Sequence, residues 1–176
     1  MKMNLSIQSL ATEVHELLLE KGLTLSIAES CTGGLISSIL TKLPECSKYF
    51  KGSIVCYSYY SKGSILNINK NILEKYGTIS SEVGLEMAKK TKELFDSDIG
   101  LSATGVAGPS SEENKPVGLV YISLYSDDFS KTKELNLRGT RGEIQLKAVQ
   151  AALNILQIYL SKLNKNIKIG ALNWKK

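Results

Sequence analysis

The stretch that decides the fold is Leu23-Thr24-Leu25-Ser26-Ile27-Ala28-Glu29-Ser30-Cys31-Thr32-Gly33-Gly34. Its first half, residues 23–28, predicts a short buried strand, because it is a largely apolar run of strand length that follows Gly22. The second half, residues 29–34, predicts a tight connection into a helix that reaches about Leu43, before Pro44. A strand that leads directly into a helix is the repeating unit of α/β folds.

The sequence on either side alternates between helical and strand patterns. A first helix, ending at Gly22, is predicted from apolar residues at helical spacing, namely Ile7, Leu10, Val14, Leu17 and Leu18. Further strands are predicted at residues 53–58, 99–104, 116–125 and 131–138, and helical segments at 61–66, 70–76, 80–95 and 142–163. This order predicts a three-layer α/β/α sandwich with a mixed sheet, in which the early strands are parallel and the last two form an antiparallel hairpin.

The last predicted helix carries two apolar stripes. One stripe comprises Ile144, Ala148, Ala151, Ala152, Ile155 and Tyr159, and the other comprises Val149, Leu153, Leu156 and Leu160. Two apolar faces indicate burial against the sheet and against a second surface. A subunit partner and packing within the domain explain the second face equally well, and we expect a homo-oligomer.

The bulk composition indicates one globular domain. The chain has 176 residues, of which 43% are hydrophobic and 22% are charged, so we expect a single domain over residues 1–176. Its core is expected at about 5–164 and a basic tail at 165–176. The net charge of +5 indicates attraction for anions. No arginine-rich stripe or aromatic-interleaved basic patch accompanies this charge, so nucleic-acid binding is not favoured.

The sequence favours the cytoplasm and a reaction without a cofactor. Cys31, Cys46 and Cys56 are odd in number and lack C-x-x-C spacing, which is typical of reduced thiols. The N-terminus lacks the pattern of a signal peptide, and no apolar run is long enough to cross a membrane. Phosphate-loop and dinucleotide glycine motifs are absent from the sequence, as are residues at metal-ligand spacing, so neither a metal nor a cofactor is expected.

Ser30 is the candidate nucleophile. It lies at a predicted strand end, and Gly33 and Gly34 lead into the next helix. Backbone N–H groups at a helix N-terminus attract an oxyanion or a phosphate. The two glycines are explained equally well by close packing of the helix on the strand. The spacing also differs from the G-x-S-x-G nucleophile elbow.

Lys62 is the candidate base for Ser30. The only histidine, His15, lies in the middle of a predicted helix beside an apolar stripe, where a packing role is typical. A serine enzyme built from this chain would therefore need a lysine, whose pKa must fall from about 10.4. Burial lowers a lysine pKa, and Lys62 follows directly on a predicted buried strand.

A third segment, Thr104-Gly105-Val106-Ala107-Gly108-Pro109, follows another predicted strand. Such a glycine-rich loop can present N–H groups to an anion, although an ordinary turn has the same composition. Arg141 begins the last predicted helix, where a cation opposes the helix dipole. An anionic ligand at Arg141 would explain its position.

Taken in order, these motifs resemble the C-terminal domain of the CinA family, in its stand-alone PncC-type nicotinamide mononucleotide deamidases. The similarity covers about residues 5–160. The matching residues are 28–34, Phe50-Lys51-Gly52, Tyr57-Ser58, Lys62, Gly77, Ser80, Val83, 104–109, Lys115-Pro116-Val117-Gly118, Gly139 and Arg141.

The resemblance implies a five-stranded mixed sheet and hydrolysis of the carboxamide of nicotinamide mononucleotide, which gives nicotinate mononucleotide and ammonia. It implies that Ser30 attacks the amide carbon, that Lys62 accepts the serine proton, and that Tyr57 bridges the two. The residues expected to bind the mononucleotide are Thr32, Gly33, Gly34, Thr104, Gly105, Gly108 and Arg141.

The chain departs from the family pattern at Tyr59, at residues 110–114, at Thr140 and at Gln145. These positions are expected on loops that touch the substrate, so a nucleotide-binding, competence-associated module without turnover is the alternative function. In a further alternative, Cys31 is the nucleophile, with its pKa lowered by the helix N-terminus.

Overall fold

The computed structural model describes residues 5–163. Its α-helices are α1 (Leu5–Lys21), α2 (Leu35–Leu40), α3 (Lys70–Tyr76), α4 (Ser81–Phe95) and α5 (Arg141–Lys162). Its strands are β1 (Leu25–Glu29), β2 (Phe50–Val55), β3 (Ile99–Gly105), β4 (Leu119–Tyr125) and β5 (Ser130–Asn136). Within this range no helix combines the length and the apolar character that crossing a bilayer requires. The predicted basic tail at 165–176 lies outside the described residues.

The strands form one mixed sheet in the order β2-β1-β3-β4-β5. Strand β1 is parallel to both β2 and β3, whereas β4 is antiparallel to β3 and to β5. The predicted sheet, with parallel early strands and a final antiparallel hairpin, is therefore confirmed. Parallel strands need helical crossovers, and here α2 connects β1 to β2 while α3 and α4 connect β2 to β3.

Helices cover the sheet on both faces. On β1, Leu25 and Ile27 belong to a core cluster that also contains buried residues of α1, α2 and α5. The next residue, Ala28, belongs to a second cluster with Leu73 of α3 and Met87 of α4. Because side chains alternate along a strand, these two clusters lie on opposite faces of the sheet. Burial on both faces explains why β1 reads as a nearly continuous apolar run.

The second apolar stripe of α5 is covered within the domain. Helix α5 packs against β3 and β4 and also against α1 and α2. Residues of both stripes, such as Ala148 and Leu153, are fully buried. Packing within the domain therefore accounts for the second stripe, and a homo-oligomer stays a prediction.

Several predicted boundaries differ from the structure by two or three residues, and two of the differences have a local reason. Strand β2 ends at Val55 rather than at residue 58, because the hydroxyls of Ser58 and Ser61 bond to each other's backbone and close a turn. Helix α2 ends at Leu40 rather than at Leu43, where the Thr41 hydroxyl bonds to the carbonyl of Ser37.

The contact between α4 and β3 leaves no room for a side chain at Gly100. A Cβ atom there would lie 1.9 Å from the carbonyl oxygen of Ala88. We expect Gly100→Ala to lower the free energy of unfolding by about 2 kcal/mol or more, because α4 must move off the sheet. In the control Gly142→Ala the new Cβ meets nothing within 4 Å, and we expect a change below about 1 kcal/mol. Equal urea midpoints for the two variants would contradict this account.

Candidate active site

The turn after β1 fixes the backbone of Ser30. The Ser30 N–H donates to the carbonyl of Ala103 on β3 at 2.9 Å, and the Ser30 carbonyl accepts from the Gly33 N–H at 3.0 Å. Gly33 and Gly34 have φ values of +62° and +95°, a region that L side chains rarely adopt. Ser30 therefore lies outside the carboxyl end of the parallel strands, where open α/β sheets bind ligands.

A buried carboxylate holds this turn. Glu29, 0% exposed, accepts hydrogen bonds at one oxygen from the N–H groups of Gly34 and Ile36, at 3.0 and 3.1 Å. Its other oxygen accepts from the N–H and the hydroxyl of Ser37, at 2.9 and 2.6 Å. Sequence reasoning missed this role of Glu29. The available signal was an acidic residue between a buried strand and a helix start, where a carboxylate complements the helix dipole.

These hydrogen bonds correct the expected oxyanion site. The N–H groups of Gly33 and Gly34 already donate within the protein, to Ser30 and Glu29, so they are not free to hold a substrate oxygen. The Thr32 N–H donates to no backbone carbonyl in the described chain. The Thr32 hydroxyl is buried and likewise lacks a hydrogen-bond partner among residues 5–163.

Lys62 lies against Ser30, as the sequence predicted. It is part of a π-helical turn, Ser61–Ile65, in which the Leu66 N–H donates to the Ser61 carbonyl. Single π-helical turns occur frequently at functional sites. The Lys62 Nζ donates to the Ser30 Oγ at 3.2 Å, and the Lys62 side chain is 1% exposed. The serine and the lysine therefore meet in a site from which bulk water is largely excluded.

Burial lowers the pKa of Lys62. The groups at Cys56, Cys31, Glu113 and Glu112 are close enough to oppose this lowering in part. Lys62 forms no ion pair with any carboxylate of the described chain. Desolvation thus dominates, and it favours the neutral amine that a general base requires.

Arg141 spans the opening of the site. Its Nη2 donates to the Tyr57 hydroxyl at 2.5 Å, and its Nη1 donates to the Gly108 carbonyl. The described chain shows no hydrogen bond from Tyr57 to Ser30 or Lys62, and the relay through Tyr57 stays a prediction. Both acceptors are neutral, and Arg141 has no carboxylate partner within residues 5–163. Its positive charge is therefore available to an anionic ligand.

The structure brings six of the ten predicted site residues together in one cleft of about 400 Å³, a volume that includes space open to solvent. These six are Ser30, Tyr57, Lys62, Gly105, Gly108 and Arg141. The cleft is also lined by Cys31, Thr78, Ile79, Val106, Ala107, Ser110 and Glu112. The four predicted binding residues outside this lining are Thr32, Gly33, Gly34 and Thr104. Thr104 is fully buried, and its hydroxyl donates to the Thr78 carbonyl at 3.1 Å.

The positions that depart from the family pattern have different structural roles. Gln145 donates to the Cys31 carbonyl at 2.9 Å and so supports the turn that carries the nucleophile. Thr140 precedes α5, and its N–H and hydroxyl bond to Glu143. Tyr59 lies outside the lining of the cleft. Only the segment 110–114 contributes lining side chains directly.

Cys31 lines the cleft but is a poor candidate nucleophile. Burial raises the pKa of its thiol to about 12, so the thiolate is scarce near neutral pH. The helix N-terminus that was expected to lower this pKa is bound by the Glu29 carboxylate instead. The described part of the chain contains no group of three or more His, Cys, Asp or Glu residues that could hold a metal ion.

Comparison with known proteins identifies the family. A sequence profile of the CinA C-terminal domain matches residues 7–160. The chain belongs to the CinA C-terminal domain family. A CinA-like protein of Dictyoglomus thermophilum is 49% identical over 150 residues, which cover 85% of this chain and 36% of that protein. The chain thus spans about a third of the length of this curated relative.

Solved structures of the CinA family share the fold. The competence/damage inducible protein CihA of Agrobacterium tumefaciens is 30% identical and superposes with a TM-score of 0.86, over 92% of this chain and 99% of that one. A CinA superfamily protein of Escherichia coli is 28% identical with a TM-score of 0.83, over 90% and 94% of the two chains. The five-stranded α/β architecture is therefore that of the CinA family.

The burial of Lys62 predicts a specific effect on stability. We expect Lys62→Met to be at least as stable as wild type near neutral pH, and up to about 2 kcal/mol more stable, because a desolvated amine is replaced by an apolar chain. A lowered pKa means that the unfolded state binds more protons than the folded state, so stability rises with pH in this window. The advantage of the variant should therefore shrink as pH rises from the lowered pKa of Lys62 towards about 10.4.

Urea unfolding of both proteins across this pH range measures the difference. Subtracting the free energy of unfolding of wild type from that of Lys62→Met at each pH removes the contributions of other titrating groups. A variant that is less stable than wild type near neutral pH would contradict the assigned environment.

Proposed function

We propose that this protein hydrolyses the carboxamide of nicotinamide mononucleotide to nicotinate mononucleotide and ammonia, and that Ser30 is the nucleophile. The observation that carries the proposal is the 3.2 Å contact between the Ser30 Oγ and the buried Lys62 Nζ. Membership of the CinA family supports it, because the substrate is the one implied by the resemblance to PncC-type deamidases.

The pair of side chains suits amide hydrolysis without histidine. The only histidine, His15, bonds to Tyr49 at 3.2 Å and does not line the cleft. A serine hydroxyl becomes an effective nucleophile when an adjacent base accepts its proton. Lys62 is the proposed base, and burial lowers its pKa, which raises the fraction of neutral amine above that of an exposed lysine.

In the proposed reaction, Ser30 Oγ attacks the carboxamide carbon and its proton passes to Lys62 Nζ. The tetrahedral intermediate collapses as Lys62 returns the proton to the leaving nitrogen, and ammonia departs. The resulting Ser30 ester is attacked by water, which gives up its proton to Lys62. Cleavage of the ester bond releases nicotinate mononucleotide, and Lys62 returns the proton to the Ser30 Oγ, which restores both side chains.

One side chain of the cleft supports substrate binding in this scheme. Arg141, whose described hydrogen-bond acceptors are both neutral, is the proposed partner of the phosphate. A guanidinium suits this role because its planar N–H groups match phosphate oxygens.

Removal of either member of the pair should abolish turnover. We expect Ser30→Ala and Lys62→Met each to lower kcat/KM for ammonia release from nicotinamide mononucleotide by at least about a thousandfold. Cys31→Ala is the matched control on the neighbouring residue and should keep activity close to wild type, because its thiol is protonated.

The outcomes separate the candidate functions. Loss of activity in Cys31→Ala, with activity kept in Ser30→Ala, would transfer the nucleophile to the thiol. Calorimetric binding of the mononucleotide without ammonia release by wild type would instead indicate a binding module without turnover.

The rate should depend on pH through Lys62. Protonated Lys62 cannot accept the serine proton, so kcat/KM should be low below the lowered pKa of Lys62 and rise with pH through it. Initial rates of ammonia release from mildly acidic to alkaline pH measure this profile. Cys31→Ala should show the same rising limb, whereas a profile that is flat over the whole range would exclude Lys62 as the base.

A further inference from the structure

One acidic side chain of the cleft has no part in the proposed catalysis. Glu112 lines the cleft together with Ser30, Lys62 and Arg141. It belongs to the segment 110–114, which reads Ser-Ser-Glu-Glu-Asn and follows Pro109. A carboxylate is therefore the charged group that this segment contributes to the lining of the cleft.

The backbone around Glu112 is held in place. The Glu112 N–H donates to the Lys115 carbonyl at 3.3 Å, and the Lys115 N–H donates to the Glu112 carbonyl at 2.8 Å. The next residue, Glu113, accepts from the Thr78 N–H and hydroxyl at 2.9 and 2.6 Å, and from the Lys115 Nζ at 3.1 Å. Glu113 is thus used to anchor the segment, and Glu112 is the acidic residue left facing the cleft.

The charge of Glu112 is not neutralised by the protein. Glu112 forms no ion pair with Lys62, with Arg141 or with any other cation in the described range. It is nevertheless near enough to Lys62 to influence the pKa of that residue. Glu112 is exposed to solvent and lies in the same cleft as Ser30 and Lys62.

We propose that the Glu112 carboxylate selects substrates whose carboxamide is carried by a positively charged ring, while Arg141 binds their phosphate. This inference rests on the proposed function, because the nicotinamide of the mononucleotide is a pyridinium. The cleft then offers the Glu112 carboxylate to the positive charge of a zwitterionic ligand and the Arg141 guanidinium to its negative charge.

The test compares two ligands that differ in ring charge. Nicotinamide mononucleotide carries a pyridinium, whereas benzamide riboside 5′-monophosphate has a neutral ring of the same shape and the same carboxamide and phosphate. We expect Glu112→Gln to lower the ratio of kcat/KM for the charged over the neutral ligand by about tenfold at low salt, and by less at high salt. Because wild type and variant are assayed with the same two ligands, the difference in intrinsic reactivity between the two amides cancels when their ratios are compared.

Glu16→Gln is the matched control, since it removes one negative charge from an exposed position on α1. It should leave the ratio unchanged. A ratio that also stays unchanged in Glu112→Gln, with folding verified by thermal unfolding, would overturn the inference while leaving the proposed reaction intact.

Failure of the proposed function gives a different result. If wild type releases ammonia from neither ligand, the hydrolase proposal fails, and calorimetric dissociation constants of the same two ligands decide the role of Glu112. A preference for the charged ligand that falls about tenfold in Glu112→Gln supports the inference. Equal affinities in wild type, or a preference that survives the substitution, would overturn it.

Discussion

The site depends on the Glu29 carboxylate, which receives four hydrogen bonds from the first turn of α2. A buried carboxylate is stable only when its oxygens are satisfied, and the first N–H groups of a helix supply donors and a favourable dipole. The same bonds fix the turn that presents Ser30. They also use up the helix N-terminus, so this end of α2 cannot be the anion site that paired glycines at a helix start commonly indicate.

The side chain that bonds to the Ser30 hydroxyl is Lys62. Its burial is unfavourable for the folded state, since no carboxylate of the described chain pairs with it. The π-helical turn Ser61–Ile65 also departs from regular helix geometry. A desolvated amine on an irregular turn is typical of sites where stability is lost in favour of function.

The sequence predicted the order of the elements and the topology of the sheet, because apolar periodicity and strand length record which faces are buried. The proximity of Ser30 and Lys62 was also predicted, by elimination of His15 and by the family resemblance. The contacts that Glu29 and Arg141 make were not predicted. Each is a side-chain contact decided by the folded geometry, and the bond between Arg141 and Tyr57 joins residues 84 positions apart. No periodic pattern records such contacts.

The residues that line the cleft come from different segments. Ser30 lies on the β1–α2 turn, where its N–H donates to the Ala103 carbonyl of β3, and Lys62 lies on the turn after β2. The charged groups without ionic partners, Glu112 and Arg141, come from the loop after β3 and from the start of α5. Surface loops tolerate substitution better than buried turns do. A change in the segment 110–114 can therefore alter the lining of the cleft while the Ser30–Lys62 contact and the CinA fold are preserved.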